Sequence, residues 1–473
     1  MQTNQDLNAK KCIFHSTKKS CLETVKSFLQ KIHHKKDLNI FLEVFEKESL
    51  LRAQKIDQKI KNKSEGRLAG CVIAIKDNIC YQGHTTTAAS KILDNFESLY
   101  SATVVERLIK EDAIIIGRLN CDEFAMGSTN ENSVYGPTKN PLNPLNVPGG
   151  SSGGSAASVS ADLCHLAIGS DTGGSVRQPA AFCGVTGFKP TYGMVSRHGL
   201  IAYASSFDQI GPLSKCINTI DLFMQIVSGS DAFDTTCIFK QGYFQKKSSH
   251  NINFKVQKQS VLVIENTLNH KFISKEVRDL FLKFLKKIED DGHIIKYINL
   301  PLLDYLVPAY YILSTAEASS NLARYDGIKY GFRSNSQSWE NVIKDSRSKG
   351  FGNEVKRRIL LGSFVLSEGY YSNYYTKAQR VRRLIKEETT NLLNENNFIL
   401  TPTSPMLPFK IGVKKKDPTE MYLQDVFTVQ ANLTGNPSIS IPIKPGFPIG
   451  AQFLGKFGRD AEIISFANYI KKI

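Results

Sequence analysis

Apolar residues recur at Leu22, Val25, Leu29 and Ile32, three or four positions apart, just behind Ser20-Cys21-Leu22-Glu23. The spacing puts them on one face of a helix. Its start reads as a capping box, in which the Ser20 and Glu23 side chains each take up a backbone N–H at the helix end. Residues 46–62 predict a second, highly charged helix, and Gly66 and Gly70 mark the turn after it. The period then changes. Val72-Ile73-Ala74-Ile75 is a continuous apolar run too short for a helix, so it predicts a buried strand, ended by Lys76. A helix over 101–111 leads to a strand at Ala113-Ile114-Ile115-Ile116, closed by Gly117. Residues 130–150, rich in Asn, Pro and Gly, form a long loop; 155–161 form a short helix and 164–168 another buried strand. Further strands fall at 260–264, 397–401, 438–443 and 449–454, with helices over 274–290 and 354–388 between them. Strands alternating with helices indicate an α/β architecture. No internal repeat or clear linker interrupts it; the Lys/Ser/Asn-rich stretch 245–253 is the best candidate for a surface insertion or subdomain joint.

Composition narrows the class. The 473 residues are 41% hydrophobic and 22% charged, values of a soluble globular protein with room for a large core. No stretch is apolar enough to span a bilayer, and Met1 to Lys11 lacks the apolar segment of a secretory signal. The nine cysteines contain no C-x-x-C pair, which argues against zinc ribbons and thioredoxin-like sites and for free, mostly buried thiols in a reducing compartment. The formal charge of +16 admits a polyanionic partner such as RNA. However, no RNA-binding signature accompanies it, and Lys414-Lys415-Lys416 reads as a solvated loop. The histidines show no metal-ligand spacing, so no metal site is expected.

The candidate chemistry lies in Gly149-Gly150-Ser151-Ser152-Gly153-Gly154-Ser155 and, beyond a short apolar segment, Asp171-Thr172-Gly173-Gly174-Ser175. A serine nucleophile needs a base within hydrogen-bond reach and N–H donors for the developing oxyanion. Successive Gly-rich backbone N–H groups can supply such a nest. On the residues alone, the second cluster reads equally as an ordinary turn before a helix over 177–183. Lys76 reads first as a lysine snorkelling from a strand end, although burial would lower its pKa and make it usable as a base. Two rival motifs fail. Residues 149–153 match G-x-S-x-G, but prolines rather than a strand precede them, and no histidine follows His293. Gly450 to Lys456 begins like a P-loop, but Phe457 stands where Ser or Thr must hold magnesium.

The stretch Gly149 to Pro190 resembles the amidase signature family. Supporting segments are Ala74 to Asn78, Asp122-Glu123-Phe124-Ala125-Met126-Gly127-Ser128, Gly193 to Gly199, and Gly350 to Arg358. The resemblance runs from about residue 20 to the C-terminus and is nearest to the glutamine-hydrolysing subunits of bacterial tRNA-dependent amidotransferases. It implies a central mixed β-sheet covered by helices on both faces, with residues 1–62 a helical segment packed on a 63–473 amidase domain. It implies a Ser–cis-Ser–Lys triad of Ser175 as nucleophile, Ser151 as bridge and Lys76 as base. The N–H groups of Thr172, Gly173, Gly174 and Ser175 would form the oxyanion hole. Glutamine would be held by Arg358 at its carboxylate, with Arg357 a close rival, and by Asp425 at its ammonium; Ser128 and Tyr310 would line the pocket. By the same resemblance the chain carries no cofactor. ATP and Mg would be used by a partner, the B subunit of such enzymes, which also binds most of the tRNA. The C subunit, a small one, would complete a heterotrimer in the bacterial cytoplasm, away from membranes. The alternative is a stand-alone amidase of the same fold acting on small amides.

Overall fold

A computed structural model describes residues 19–248, 254, 257–413 and 419–473. Residues 249–253 of the candidate insertion and the Lys414–Lys416 cluster lie outside the described residues. Eleven strands form one mixed sheet: β1 Phe41–Val44, β2 Val72–Lys76, β3 Ile114–Leu119, β4 Leu166–Asp171, β5 Thr186–Lys189, β6 Gln209–Ser214, β7 Ser260–Ile264, β8 Ile294–Ile298, β9 Phe398–Pro402, β10 Ser438–Pro442 and β11 Gly450–Leu454. Their spatial order is β1-β3-β2-β4-β6-β5-β10-β11-β9-β7-β8. β2 runs parallel to both β3 and β4, and all five of its residues are buried. A strand covered on both faces and flanked by strands on both edges needs the unbroken apolar run that the sequence carries there.

The Ser20 capping box forms, and helix Cys21–His34 buries Val25, Leu29 and Ile32 as the periodicity requires. Helix Glu46–Lys61 follows. The N-terminal segment is not purely helical, because β1 pairs antiparallel with β3 at the sheet edge. β3 also continues past Gly117, because its pairing with β2 extends to Leu119 opposite Lys76. The single helix expected over 354–388 is two, Asn353–Leu366 and Lys377–Glu395, separated at Gly369 and a π-helical turn Ser372–Thr376. Helix Leu303–Asn321, with Pro308 inside it, has no counterpart in the sequence pattern.

Three apolar clusters, built largely from the sheet and the helices on its two faces, form the core. Seven of the cysteines are buried free thiols. Among the described residues, no helix is long and apolar enough to cross a membrane, and no group of His, Cys, Asp and Glu is placed to hold a metal. The consequence for chemistry is topological. The carboxyl ends of the adjacent parallel strands β2 and β4 open at one sheet edge, delivering Lys76 and the Asp171 loop to one place.

Candidate active site

Lys76, the last residue of β2, is completely buried among hydroxyls. Its Nζ donates to Ser151 Oγ at 2.7 Å, Ser152 Oγ at 3.0 Å and Ser170 Oγ at 2.9 Å. Burial draws its pKa down to about 8, with Cys121, Asp122, Asp171 and Asp208 opposing part of that shift. The Gly150–Ser151 peptide bond is cis. Ser152 Oγ donates to Ser170 O at 3.1 Å, and Asn78 Nδ2 donates to Ser170 Oγ at 2.9 Å. Both oxygens therefore face Lys76 as acceptors. Ser152, Ser170 and Asn78 are site residues that the sequence does not single out; Ser170 immediately precedes the cluster that it does.

Ser175 begins the turn into helix Arg177–Phe182 and, unlike Ser151 and Ser152, is only partly buried. Its carbonyl accepts from Ser152 N–H at 3.1 Å, tying the two Gly/Ser clusters together. Among the described residues, no hydrogen bond joins Ser175 Oγ to Ser151 Oγ; such contacts commonly tighten only once substrate is bound. The expected oxyanion donors need one correction. Gly174 N–H already donates to Asp171 Oδ1 at 2.9 Å, so it is not free for an oxyanion. The N–H groups of Thr172, Gly173 and Ser175 have no acceptor among the described residues. Asp171 also takes Val176 N–H and the guanidinium of the fully buried Arg177, whose charge holds its carboxyl down at about 2 against the cost of burial.

Arg358, in helix Asn353–Leu366, is 3% exposed. Its Nε donates to Glu354 at 2.9 Å and its Nη1 to Tyr203 Oη at 2.8 Å, while the rings of Tyr203, Tyr311 and Tyr422 surround the guanidinium at 5.3–5.5 Å. Nη2 donates to no described residue. Arg357 pairs with the other Glu354 oxygen from a side chain 44% exposed. Asp425 is buried and accepts from Ser128 Oγ at 3.2 and 3.1 Å and from Tyr311 Oη at 3.0 Å. Desolvation pushes its pKa up to about 7. Ser128, Glu354, Arg357, Arg358, Met421 and Tyr422 line one cavity of about 460 Å³. Tyr310 packs edge-on to Phe207 with its hydroxyl end against Gly173, where a side chain would run into it. It thus supports the nucleophile loop, and Tyr311 is the tyrosine that reaches Asp425. A larger cavity of about 730 Å³ shares Tyr422 as a wall and has neither Arg358 nor Ser128 in its lining.

The arrangement combines a buried amine, a hydroxyl pair, a partly accessible serine with free N–H groups, a cavity walled by Arg358 and Ser128, and the Asp425 carboxylate hydrogen-bonded to that Ser128. That set suits acyl transfer from an amide of a zwitterionic substrate. The amidase family model matches residues 23–464. The chain is 46% identical over 462 residues to the A subunit of glutamyl-tRNA(Gln) amidotransferase from Chlorobaculum parvum, covering 96% of this chain and 95% of the relative. It is 46% identical over 466 residues to the protein of that name from Fusobacterium nucleatum, covering 97% and 94%. The crystal structure of the corresponding Thermotoga maritima protein, also a glutamyl-tRNA(Gln) amidotransferase A subunit, superposes with a TM-score of 0.79 at 38% identity, covering 98% of this chain and 94% of that one.

Proposed function

This chain belongs to the amidase family, and on that premise we propose that it is the glutamine-hydrolysing subunit of a tRNA-dependent amidotransferase. It acts with other subunits of that enzyme. The observation that carries the substrate choice is the pair Arg358 and Asp425, both buried beside Ser128. Opposite charges kept apart in a water-poor pocket match the carboxylate and ammonium of a free amino acid, and a pocket for apolar amides would carry desolvated charges to no purpose.

In this reading Arg358 Nη2 holds the glutamine α-carboxylate, and Asp425 with Ser128 holds the ammonium. The side-chain amide carbon then faces Ser175. Neutral Lys76 takes the Ser151 proton as Ser151 takes that of Ser175, and Ser175 Oγ forms a bond to the amide carbon. The N–H groups of Thr172, Gly173 and Ser175 stabilise the oxyanion. The proton returns through Ser151 to the amide nitrogen, the C–N bond breaks, ammonia leaves and a γ-glutamyl ester remains on Ser175. Water, deprotonated along the same path, cleaves that ester to glutamate and restores Ser175. The acceptors Ser152 and Ser170 give direction: with two N–H groups of the neutral amine committed to them, its lone pair faces Ser151. Ammonia is used by the partner B subunit, which spends ATP with Mg on Glu-tRNA(Gln), Asp-tRNA(Asn) or both. The small C subunit completes a heterotrimer in the bacterial cytoplasm.

Substrate comparison tests this. The assembled enzyme is expected to release ammonia from glutamine far faster than from propionamide; faster turnover of the simple amide would favour the stand-alone amidase instead. The pH dependence has a defined sign. Lys76 acts as a base only after losing its proton near pH 8, and Asp425 holds the ammonium only after losing its own near pH 7. kcat/KM is therefore expected to rise with pH through both values. Asp425→Asn is expected to leave a lower profile with only the limb near 8. An unchanged two-limb profile in that variant would remove Asp425 from substrate binding.

A further inference from the structure

We propose that Glu123 is a positioning residue for the amino-acid end of the substrate: its carboxylate fixes the N-terminus of helix Asn353–Leu366 and thereby the place of Arg358. The inference rests on the glutamine reading, in which Arg358 is the carboxylate clamp.

Glu123 follows the end of β3 and belongs to the Asp122–Ser128 segment, of which the reaction uses only Ser128. It is buried, and among the described residues no Lys, Arg or His reaches it at ion-pair distance, Lys356 acting on it only from farther off. A buried carboxylate needs compensating donors, and here they come from Ser90 Oγ and from Gly352 N–H, which reaches Oε1 at 3.0 Å and Oε2 at 2.9 Å. Gly352 is the N-cap of the Arg358 helix, and that helix has no side-chain cap of its own. Glu123 thus supplies, from 229 positions away in sequence, the acceptor oxygens that this uncapped helix N-terminus otherwise lacks. The approach is close enough that a side chain at Gly352 would collide with Glu123 Oε2. Phe124 reinforces it by packing edge-on against Phe351 at 5.6 Å.

The same residue reaches the other cavity wall. Glu123 N–H donates to Asn132 O at 3.2 Å, and the preceding Asp122 carboxylate accepts Asn130 N–H at 2.9 Å and Asn132 N–H at 3.0 Å. Those bonds fold the loop carrying Ser128, the partner of Asp425. One dipeptide therefore anchors both halves of the cavity, and Glu123 holds the half that bears Arg358. From Gly352 to Arg358 the helix advances about 9 Å, so a tilt at its first turn is transmitted directly to the guanidinium. Misplacement by an ångström weakens a polar clamp severely.

The test uses the assembled enzyme and two reagents that alkylate or phosphonylate the nucleophile. One, 6-diazo-5-oxo-L-norleucine, carries the carboxylate and ammonium of glutamine; the other, a small alkyl fluorophosphonate, carries neither. Glu123→Ala is expected to raise KM for glutamine about tenfold and to slow norleucine labelling about tenfold, the size of one lost charge-assisted hydrogen bond. kcat should stay within about threefold, and fluorophosphonate labelling should be unchanged. Glu123→Gln keeps one acceptor for Gly352 N–H and is expected to fall between Glu123→Ala and the parent. It decides the matter alone if Glu123→Ala does not fold. A parent-like KM, or equal slowing by both reagents, would overturn the proposal. A parent enzyme labelled by the fluorophosphonate but inert to the norleucine reagent would instead refute the glutamine reading, and this inference with it.

Discussion

Ser175→Ala is expected to lower glutamine hydrolysis by on the order of 10⁴-fold or more, a loss of about 5 kcal/mol or greater in transition-state stabilisation. The size follows from the role. Without Oγ no ester forms, and what remains is the modest catalysis available from bound substrate and free N–H donors. Binding should survive, because Arg358, Asp425 and Ser128 are untouched and sit on other elements. Folding should survive as well: the Ser175 side chain makes no hydrogen bond among the described residues, whereas its backbone bond to Ser152 is kept. Ammonia release and glutamine affinity, measured on the same preparation, separate these effects. Residual hydrolysis within tenfold of the parent would remove Ser175 from the nucleophile position.

Lys76→Met is expected to cost nearly as much activity and to change its pH dependence. Ser175 would then lose its proton only to hydroxide, so the residual rate should climb with pH beyond 8 where the parent levels off. Stability should behave differently from activity. The fold lowers the Lys76 pKa from 10.5 to about 8, so at neutral pH it disfavours the protonated lysine by about 3 kcal/mol. The sign is that of a base whose folded pKa is depressed: stability rises as pH climbs from about 8 towards 10.5, and below 8 the full penalty applies. Methionine fills similar volume without that penalty, at the expense of three hydroxyls that lose a donor. A thermal midpoint at pH 7 within a few degrees of the parent, with activity nearly abolished, is the expected pairing. A midpoint that collapses would make Lys76 a structural residue.

Much of the sheet is legible because its strands announce themselves. Val72–Ile75 is apolar throughout because β2 is covered on both faces, and Lys76 stands out as the one charge at its end. β5 and β6 are invisible for the opposite reason. Thr186–Lys189 and Gln209–Ser214 contain glycine, proline and polar residues, and neighbouring strands rather than intrinsic pattern hold them in place. Helix Leu303–Asn321 carries apolar residues nearly all round and a proline within, so it shows no amphipathic period. This is why sequence can nominate Tyr310 but not distinguish it from Tyr311. Adjacent helical positions point about 100° apart, and only the packing of that helix shows which ring meets Asp425. The Gly/Ser clusters are conspicuous in composition, yet only the capture of the Gly174 N–H by Asp171 withdraws Gly174 from the oxyanion donors. Arg358 and Arg357 are likewise indistinguishable in sequence, whereas in the fold one is buried among three tyrosines and the other half exposed.

The central claim is that Ser175 becomes a γ-glutamyl ester during turnover. Rapid acid quench of the enzyme during steady-state glutamine hydrolysis, followed by proteolysis and mass spectrometry, tests it most directly. The account predicts a γ-glutamyl adduct on the peptide containing Ser175, formed as ammonia is released and absent from Ser175→Ala and Lys76→Met. An adduct on a different residue, or turnover by Ser175→Ala at a parent-like rate with no adduct in either protein, would contradict it.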